Sequence, residues 1–201
     1  MPSLAEHLLR ATEESYDLRG LELSGEEVVA LKTGSIDLKS CSFSHCTFSD
    51  CKFDRTGFQN VTFLGCDLSG TSFLDCGLKQ VVFKDCRLLG TVFDGCILNT
   101  GSIESCAAKY LRLSGCTLRS VSLKDSNFSG GSLARMKCTK TTVDKCDFTR
   151  CDFTGSDLYG FDLTRCTIDG ATWSLEGLKG VTVTAAQALE FSRLLGLNIE
   201  L

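Results

Sequence analysis

Large apolar side chains recur at every fifth residue through most of this sequence. The series starts at Leu18 and ends at Val183, a span of 34 positions that no insertion or deletion interrupts. Eleven of the thirteen phenylalanines belong to it, among them Phe43, Phe48 and Phe53. A period of five fits neither the 3.6 residues of a helical turn nor the two-residue alternation of an ordinary strand. The chain is therefore built from a short repeat that is neither element.

Two further residue classes keep the same period. Twelve of the thirteen cysteines lie two residues before the large apolar residue, and twelve of the nineteen glycines lie two residues after it. The unit thus reads small, polar, large apolar, polar, then glycine or polar. Two inward side chains followed by a tight turn, for which glycine supplies the positive φ, make one short side of a coil. A single coil cannot bury its own inward side chains, so coils must stack.

This unit resembles the repeat of the pentapeptide-repeat family, A(D/N)LXX. The matching stretches are CDLSG at 66–70, CDFTG at 151–155, SDLYG at 156–160 and FDLTR at 161–165. The resemblance implies an all-β solenoid, a right-handed quadrilateral parallel β-helix with four repeats to a coil and short capping helices at the termini. On that basis we predict about eight coils, which form a rod about 40 Å long at the usual strand spacing.

The boundaries follow from where the repeat is regular. We predict an N-terminal cap with irregular first repeats over residues 1–35, because Glu26 and Thr33 occupy inward positions there. The β-helix proper is predicted over 36–183, and a C-terminal helix and tail over 184–201. Capping boxes at 3–6 (SLAE) and 184–187 (TAAQ) predict the starts of the two helices. Two central positions hold small residues, Ala108 and Cys138, so we look for local distortion near 106–111 and 134–140. The favoured alternative is an imperfect but repacked coil, since bulky Met136 occupies the inward site next to Cys138.

The cysteines invite a different interpretation. The stretch CSFSHCTFSDCKF at 41–53 holds three cysteines and His45, which suggests a metal or redox cluster. Residues twenty apart should lie above one another with Cβ atoms nearly 5 Å apart, beyond ordinary disulfide geometry. Metal ligands converge from different elements, whereas these thiols are separated by phenylalanine and leucine. We expect buried, reduced thiols and no metal or cofactor; a metal or redox ladder is the alternative.

The C-terminal segment TAAQALEFSRLLGLNIEL resembles the ending of the Qnr, MfpA and AlbG type of family members, which interact with DNA gyrase. In those members the helix and tail form a homodimer. The resemblance implies a homodimer here, and exposed apolar residues beyond one helix support it; a simple cap on a monomer is the alternative. The candidate interface residues are Leu189, Leu194, Leu195, Leu197, Ile199 and Leu201.

Composition and the motifs that the sequence lacks argue against several classes of function. The net charge is −4, which argues against direct binding of nucleic acid. No apolar run approaches the length of roughly 20 residues that a membrane span needs. The N-terminus does not resemble a signal peptide, so we expect a cytoplasmic protein. The sequence has two histidines, His7 and His45, and lacks GxSxG, Walker, GxGxxG and HExxH motifs. We therefore expect no enzymatic activity.

Two non-enzymatic functions remain. The resemblance implies a mimic of duplex DNA that binds DNA gyrase or topoisomerase IV and modulates or protects it, as in quinolone resistance. Sorting the repeats by four gives faces of net charge +3, −2, −3 and +1, so two neighbouring faces form a mildly acidic side. The alternative is a general protein-interaction scaffold with another partner. Candidate partner-facing acids are Asp50, Asp67, Asp85, Glu104, Asp125, Asp144, Asp147, Asp162 and Asp169.

Overall fold

The fold was analysed in a computed structural model that describes residues 3–14, 16–192, 194 and 196. Two α-helices flank a series of short strands, with a 3-10 turn at Leu175–Leu178. The helices are α1 (Leu4–Glu14) and α2 (Ala185–Ser192). The strands are β1 (Leu18–Arg19), β2 (Glu22–Ser24), β3 (Glu27–Val29), β4 (Lys32–Gly34), β5 (Asp37–Lys39), β6 (Ser42–Ser44), β7 (Thr47–Ser49), β8 (Lys52–Asp54), β9 (Gly57–Leu64), β10 (Ser72–Leu74), β11 (Gly77–Lys84), β12 (Val92–Asp94), β13 (Ile97–Glu104), β14 (Thr117–Lys124), β15 (Lys137–Thr139) and β16 (Thr142–Asp144).

Every strand pair is parallel and joins residues twenty apart. Leu18 pairs with Leu38, Phe53 with Phe73, and Phe83 with Ile103. Twenty residues are four repeats, so the chain forms a parallel β-solenoid with four sides. We number the sides by the repeats that recur at intervals of twenty: face 1 contains 36–40, face 2 contains 41–45, face 3 contains 46–50 and face 4 contains 51–55. The predicted fold class is confirmed.

The strand-bearing part of the solenoid is shorter than predicted. Strands run from Leu18 to Asp144, about six turns, against the predicted eight coils. Beyond Asp144 the same register continues through isolated bridges, such as Asp147 to Thr167 and Asp162 to Thr182. The period of five fixes the register in both parts, but it does not separate extended strand from tight turn.

The large apolar residues stack in columns along the interior. On face 2, the ring centroids of Phe63 and Phe83 lie 5.0 Å apart, and the two rings are tilted by only 4°. On face 4, Phe73 and Phe93 stack at 4.7 Å. Contacts of this kind supply both apolar burial and the favourable offset geometry of aromatic pairs.

The second inward position, two residues before the large one, donates hydrogen bonds. The hydroxyl of Thr71 donates to the carbonyl of Phe48 at 2.6 Å, and that of Thr91 to the carbonyl of Leu68 at 2.8 Å. The Cys66 thiol donates to the Phe43 carbonyl at 3.3 Å. Each donor lies 23 residues after its acceptor. Cysteine, serine and threonine at this position therefore fill a small space and also link one coil to the preceding one.

Both predicted capping boxes are present. The Ser3 N–H donates to the Glu6 carboxylate at 2.7 Å, and the Thr184 N–H donates to the Gln187 side chain at 2.9 Å. Gln187 also donates to the carbonyls of Leu163 and Cys166, which belong to the last coils. Helix α1 covers the other end, where the irregular residue Glu26 accepts the N–H of Leu4. Each helix is thus bonded to the end of the solenoid that it covers.

The two small central residues have large neighbours. Leu111, at a position that is usually small, is fully buried near Ala108, and Met136 is buried near Cys138. The register is continuous around Ala107, which bridges Arg87 and Asn127. Around Cys138 the backbone does change, because the eight-residue strands of faces 1 and 2 give way to the three-residue strands β15 and β16.

Candidate functional site

The nine predicted acidic residues lie on two adjacent faces. Face 2 carries Asp85, Glu104, Asp125, Asp144 and Asp162, and face 3 carries Asp50, Asp67, Asp147 and Asp169. The most accessible members are Asp50, Asp85, Asp125, Asp162 and Asp169, whereas the other four are half-buried. The fold therefore brings these residues to one side of the rod, which we call the acidic side.

Basic neighbours neutralise part of the acidic side. Arg165 pairs with Asp144 at 2.9 Å, Lys124 lies between Glu104 and Asp125, and Arg87 lies 3.7 Å from Asp67. Such exposed pairs contribute little to stability. They nevertheless reduce the field that a cationic partner would encounter. Among the described residues, Asp50, Asp85, Asp147, Asp162 and Asp169 take part in no ion pair.

Three of the acids have a structural role that sequence reasoning missed. Asp67, Asp147 and Asp162 each accept the backbone N–H of the residue two positions later, at 2.9–3.0 Å. The Thr164 hydroxyl and N–H both donate to Asp162 and hold the pKa of its carboxyl below the ordinary value. The repeat motif contained the signal, since its second position favours Asp or Asn, which form such turns. In the part of the chain that the structure describes, Asp50, Asp85 and Asp169 accept no such hydrogen bond.

The thiols that suggested metal or redox chemistry are all in the interior. The thirteen cysteines are buried and free of disulfides. Burial raises the pKa of Cys138 and of Cys151 to about 12 in each case, so both are thiols and poor nucleophiles near neutral pH. Within the described residues, no three His, Cys, Asp or Glu side chains converge as metal ligands would. His45 is exposed at a corner, where its ring lies over Gly65 of the next coil.

Of the six candidate dimer residues, the structure describes two. Leu189 and Leu194 are 44% and 42% exposed. Leu195, Leu197, Ile199 and Leu201 lie outside the described residues. Helix α2 contacts the core through Phe191, whose ring meets Trp173 edge-on at 5.2 Å.

The net charge of each whole face does not show a cluster of basic residues in two adjacent coils. On faces 4 and 1, residues 111–120 and 131–140 contain five basic residues and no acid. Sorting the sequence by coil as well as by face would have found this cluster.

The architecture defines the chain as a β-solenoid of five-residue repeats with an acidic side and capped ends. A model of the pentapeptide repeat region matches residues 36–113, and a model of eight pentapeptide repeats matches residues 137–172. The chain belongs to the pentapeptide-repeat family. A comparison with curated proteins gives no match.

Several solved structures resemble this one. QnrB1, a plasmid-mediated fluoroquinolone resistance protein, in a trypsin-treated form, is 19% identical with a TM-score of 0.45; the match covers 92% of this chain and 100% of that one. HetL of Nostoc sp. strain PCC 7120, involved in the regulation of heterocyst differentiation, is 15% identical with a TM-score of 0.46, over 90% and 95% of the two chains. Similarity at this level assigns no function. In the part of the chain that the structure describes, no helix is long and apolar enough to span a membrane.

Proposed function

We propose that this protein is a non-catalytic rod that binds DNA gyrase or topoisomerase IV, with its acidic side in the place of duplex DNA. The observation that carries the proposal is the separation of charge around the rod. Faces 2 and 3 together have net charge −5, from −2 and −3, whereas faces 4 and 1 together have +4, from +1 and +3. The C-terminal segment, which resembles that of gyrase-interacting members, supports the same partner.

The mechanism requires carboxylates that are free to meet a basic surface. Asp50, Asp85 and Asp169 meet this requirement, because they are exposed and make neither an ion pair nor a local hydrogen bond among the described residues. Complementary charge would guide the rod into a DNA-binding groove and compete with phosphates for the same cations. Binding by this mechanism weakens as salt rises.

Among the described residues, no hydrogen bond joins the side chain of His7 or His45 to a serine, threonine or cysteine. A nucleophile and its base need such a contact.

The test is the supercoiling activity of purified gyrase, with and without ciprofloxacin. We expect the protein to inhibit supercoiling, or to relieve ciprofloxacin inhibition, at micromolar concentration. The variant D85N/D169N should weaken the effect at least about fivefold, since each substitution removes a free charge. The matched control is D75N/D94N, which changes one turn residue and one neighbouring exposed acid on face 4.

The possible outcomes test two claims separately: that a topoisomerase is the partner, and that the acidic side is the surface that binds it. No effect at about tenfold excess over gyrase would rule out the topoisomerase partner. An effect that D85N/D169N leaves unchanged, or that D75N/D94N weakens equally, would retain the partner and reject the acidic side as its binding surface.

A second candidate is a scaffold that binds a different protein. The ion pairs on Asp67, Glu104, Asp125 and Asp144 favour it, because they weaken the charge that a DNA mimic would use. This function predicts no response in either gyrase assay.

We also propose that the protein forms a homodimer through α2 and the residues that follow it. Exposure of Leu189 and Leu194 at the C-terminal end supports this arrangement. Light scattering should give twice the 21.8 kDa mass of one chain. L189D should yield the monomer, whereas L89D, at an equally exposed leucine on face 3, should leave the dimer intact. A wild-type mass of one chain would refute the proposal.

A further inference from the structure

The net charge of the chain hides a strongly basic region. Arg112 and Arg119 lie in one coil, and Arg135, Lys137 and Lys140 lie in the next, all on faces 4 and 1 or their corners. All five side chains are exposed, and no ion pair among the described residues includes any of them. On these two faces, the nearest acids lie in the coils on either side, as Asp94, Asp152 and Asp157, and the backbone of Asp157 bridges that of Lys137.

On face 4, small side chains occupy the surface between the basic residues. Ser114 and Ser132 share a hydrogen bond of 2.8 Å between their hydroxyl groups, and Ala134 is buried beside them. The backbone of Arg112 bridges that of Ser132, and β14 pairs with β15 in register. On face 4, the residues between Arg112 and Arg135 therefore include the small side chains of Ser114, Ser132 and Ala134, on a backbone held in register.

The two most exposed aromatic residues border this region. Tyr110, two residues before Arg112, is 64% exposed, and Tyr159, one coil beyond Thr139, is 67% exposed. Tyr159 and Lys140 line the same open cleft of about 620 Å³, which Gly160 and Asp157 help to form.

Glycines position both tyrosine rings. A Cβ atom on Gly130 would lie 2.6 Å from the Tyr110 ring, and one on Gly180 would lie 2.6 Å from the Tyr159 ring. The rings thus use the space above a glycine of the following coil. They lie against the rod instead of extending into solvent, and most of each ring remains accessible. Asp157 accepts the N–H of Tyr159 at 3.2 Å and fixes its backbone.

We propose that these seven residues form a binding surface for single-stranded nucleic acid. Arg112, Arg119, Arg135, Lys137 and Lys140 would contact phosphates, and Tyr110 and Tyr159 would stack on bases. Cations along a backbone path, combined with accessible aromatic rings, are the features that bind single strands without sequence preference. A single strand suits the surface better than a duplex, because paired bases offer no free face to a tyrosine. This departs from the expectation of no direct nucleic-acid binding, which considered only the net charge. The proposal is independent of topoisomerase binding.

The test is the fluorescence anisotropy of a labelled oligo(dT) of about fifteen nucleotides, titrated with the full chain from about 25 to 200 mM salt. We expect micromolar affinity at low salt. The logarithm of the binding constant should fall with the logarithm of the salt concentration with a slope of about −3.5, since each of the five contacts contributes about −0.7.

Two sets of variants separate charge from stacking. R119Q/K137Q/K140Q should weaken binding at least about tenfold and make the slope shallower by about 2, because three contacts are lost. Gln80 already occupies the column of Lys140 at positive φ, so glutamine suits that position. Y110S/Y159S should weaken binding at least about fivefold and leave the slope unchanged. The control K84Q/K145Q/R165Q removes the same charge from face 2 and should change affinity less than about twofold.

Three results would overturn the proposal. The first is no binding at low salt with a folded wild-type chain, checked by circular dichroism. The second is equal weakening by the face 2 control, which would show a general charge effect. The third is unchanged affinity of Y110S/Y159S together with equal binding of a duplex of the same length, which would show backbone attraction without stacking.

Discussion

At the scale of single residues, the small inward position does more than fill space. Its thiol or hydroxyl donates to a carbonyl 23 residues earlier, and this pattern recurs from Cys41 to Ser156. Leaving such a buried acceptor without its donor costs about 1–3 kcal/mol. The preference for cysteine, threonine and serine thus has an energetic reason that the label "small" does not convey.

Thr71→Val tests this role, since it keeps the shape and removes the donor to Phe48. We expect the free energy of unfolding to fall by about 1–3 kcal/mol, measured by urea denaturation. Thr142→Val, at an exposed strand position, is the control and should change stability by less than about 0.5 kcal/mol. Equal stability of the two variants would show that the Phe48 carbonyl does not depend on Thr71.

At the scale of the strand, faces 1 and 2 share strands of eight residues, whereas the strands of faces 3 and 4 have three. Four strands of eight residues, β9, β11, β13 and β14, run across the corner between these faces. The residue after that corner is Val61, Val81, Gly101 and Val121 in turn, whereas Cys41 and Thr141 occupy it where the strands are short. Valine favours extended backbone, so it accounts for three of the four long strands.

Gly101 is the exception. The other three residues at this position are valines, but the structure leaves no room for a side chain at Gly101. A Cβ atom at Gly101 would lie 2.2 Å from the Val81 carbonyl oxygen, whereas one at Gly77 would meet nothing within 4 Å. Gly101→Ala should therefore destabilise the protein by about 1–3 kcal/mol. Gly77→Ala, in a strand of the same sheet, should be neutral or stabilising by roughly 0.5 kcal/mol. Thermal denaturation of the two variants provides the measurement, and a gain in stability for Gly101→Ala would contradict the contact.

These examples show what the sequence could predict. The period of five identifies the inward residues, since register depends only on counting, and it also placed the nine acids on adjacent faces. It could not distinguish Gly101 from a position suited to valine, because that depends on a backbone approach between coils. Nor could it show that Asp67, Asp147 and Asp162 bond to their own turns while Arg165 reaches Asp144. Those contacts depend on side-chain conformations that have no period.

At the scale of the whole molecule, all thirteen cysteines are buried in the interior, and for Cys138 and Cys151 burial is the main influence on the thiol pKa. The ordinary pKa of these thiols is 9.0, and burial raises the pKa of Cys138 and of Cys151 to about 12. A group whose pKa is raised by folding stabilises the folded state fully below its unfolded pKa. That contribution is lost as pH rises between about 9 and 12, because the unfolded chain releases protons that the folded chain retains.

We therefore expect the free energy of unfolding to decline above pH 9 by about 1.4 kcal/mol per pH unit for each such thiol. Urea denaturation at pH 8, 9 and 10 measures the slope. C138A/C151A should be less stable than wild type at pH 8, since it creates cavities, but its decline with pH should be shallower by the contribution of two thiols. The same slope in both proteins would show that these two cysteines ionise alike in the folded and unfolded states.

The register of twenty also determines how the rod should respond to force. Each coil bonds to the coil before it and the coil after it, so a pull on the two ends meets interfaces in series. Such a solenoid unfolds from an end, and its folded part loses one coil at a time. Each release of twenty residues adds about 60 Å of extended chain. A stretched molecule would therefore lengthen in even steps, with the Phe-rich coils yielding last.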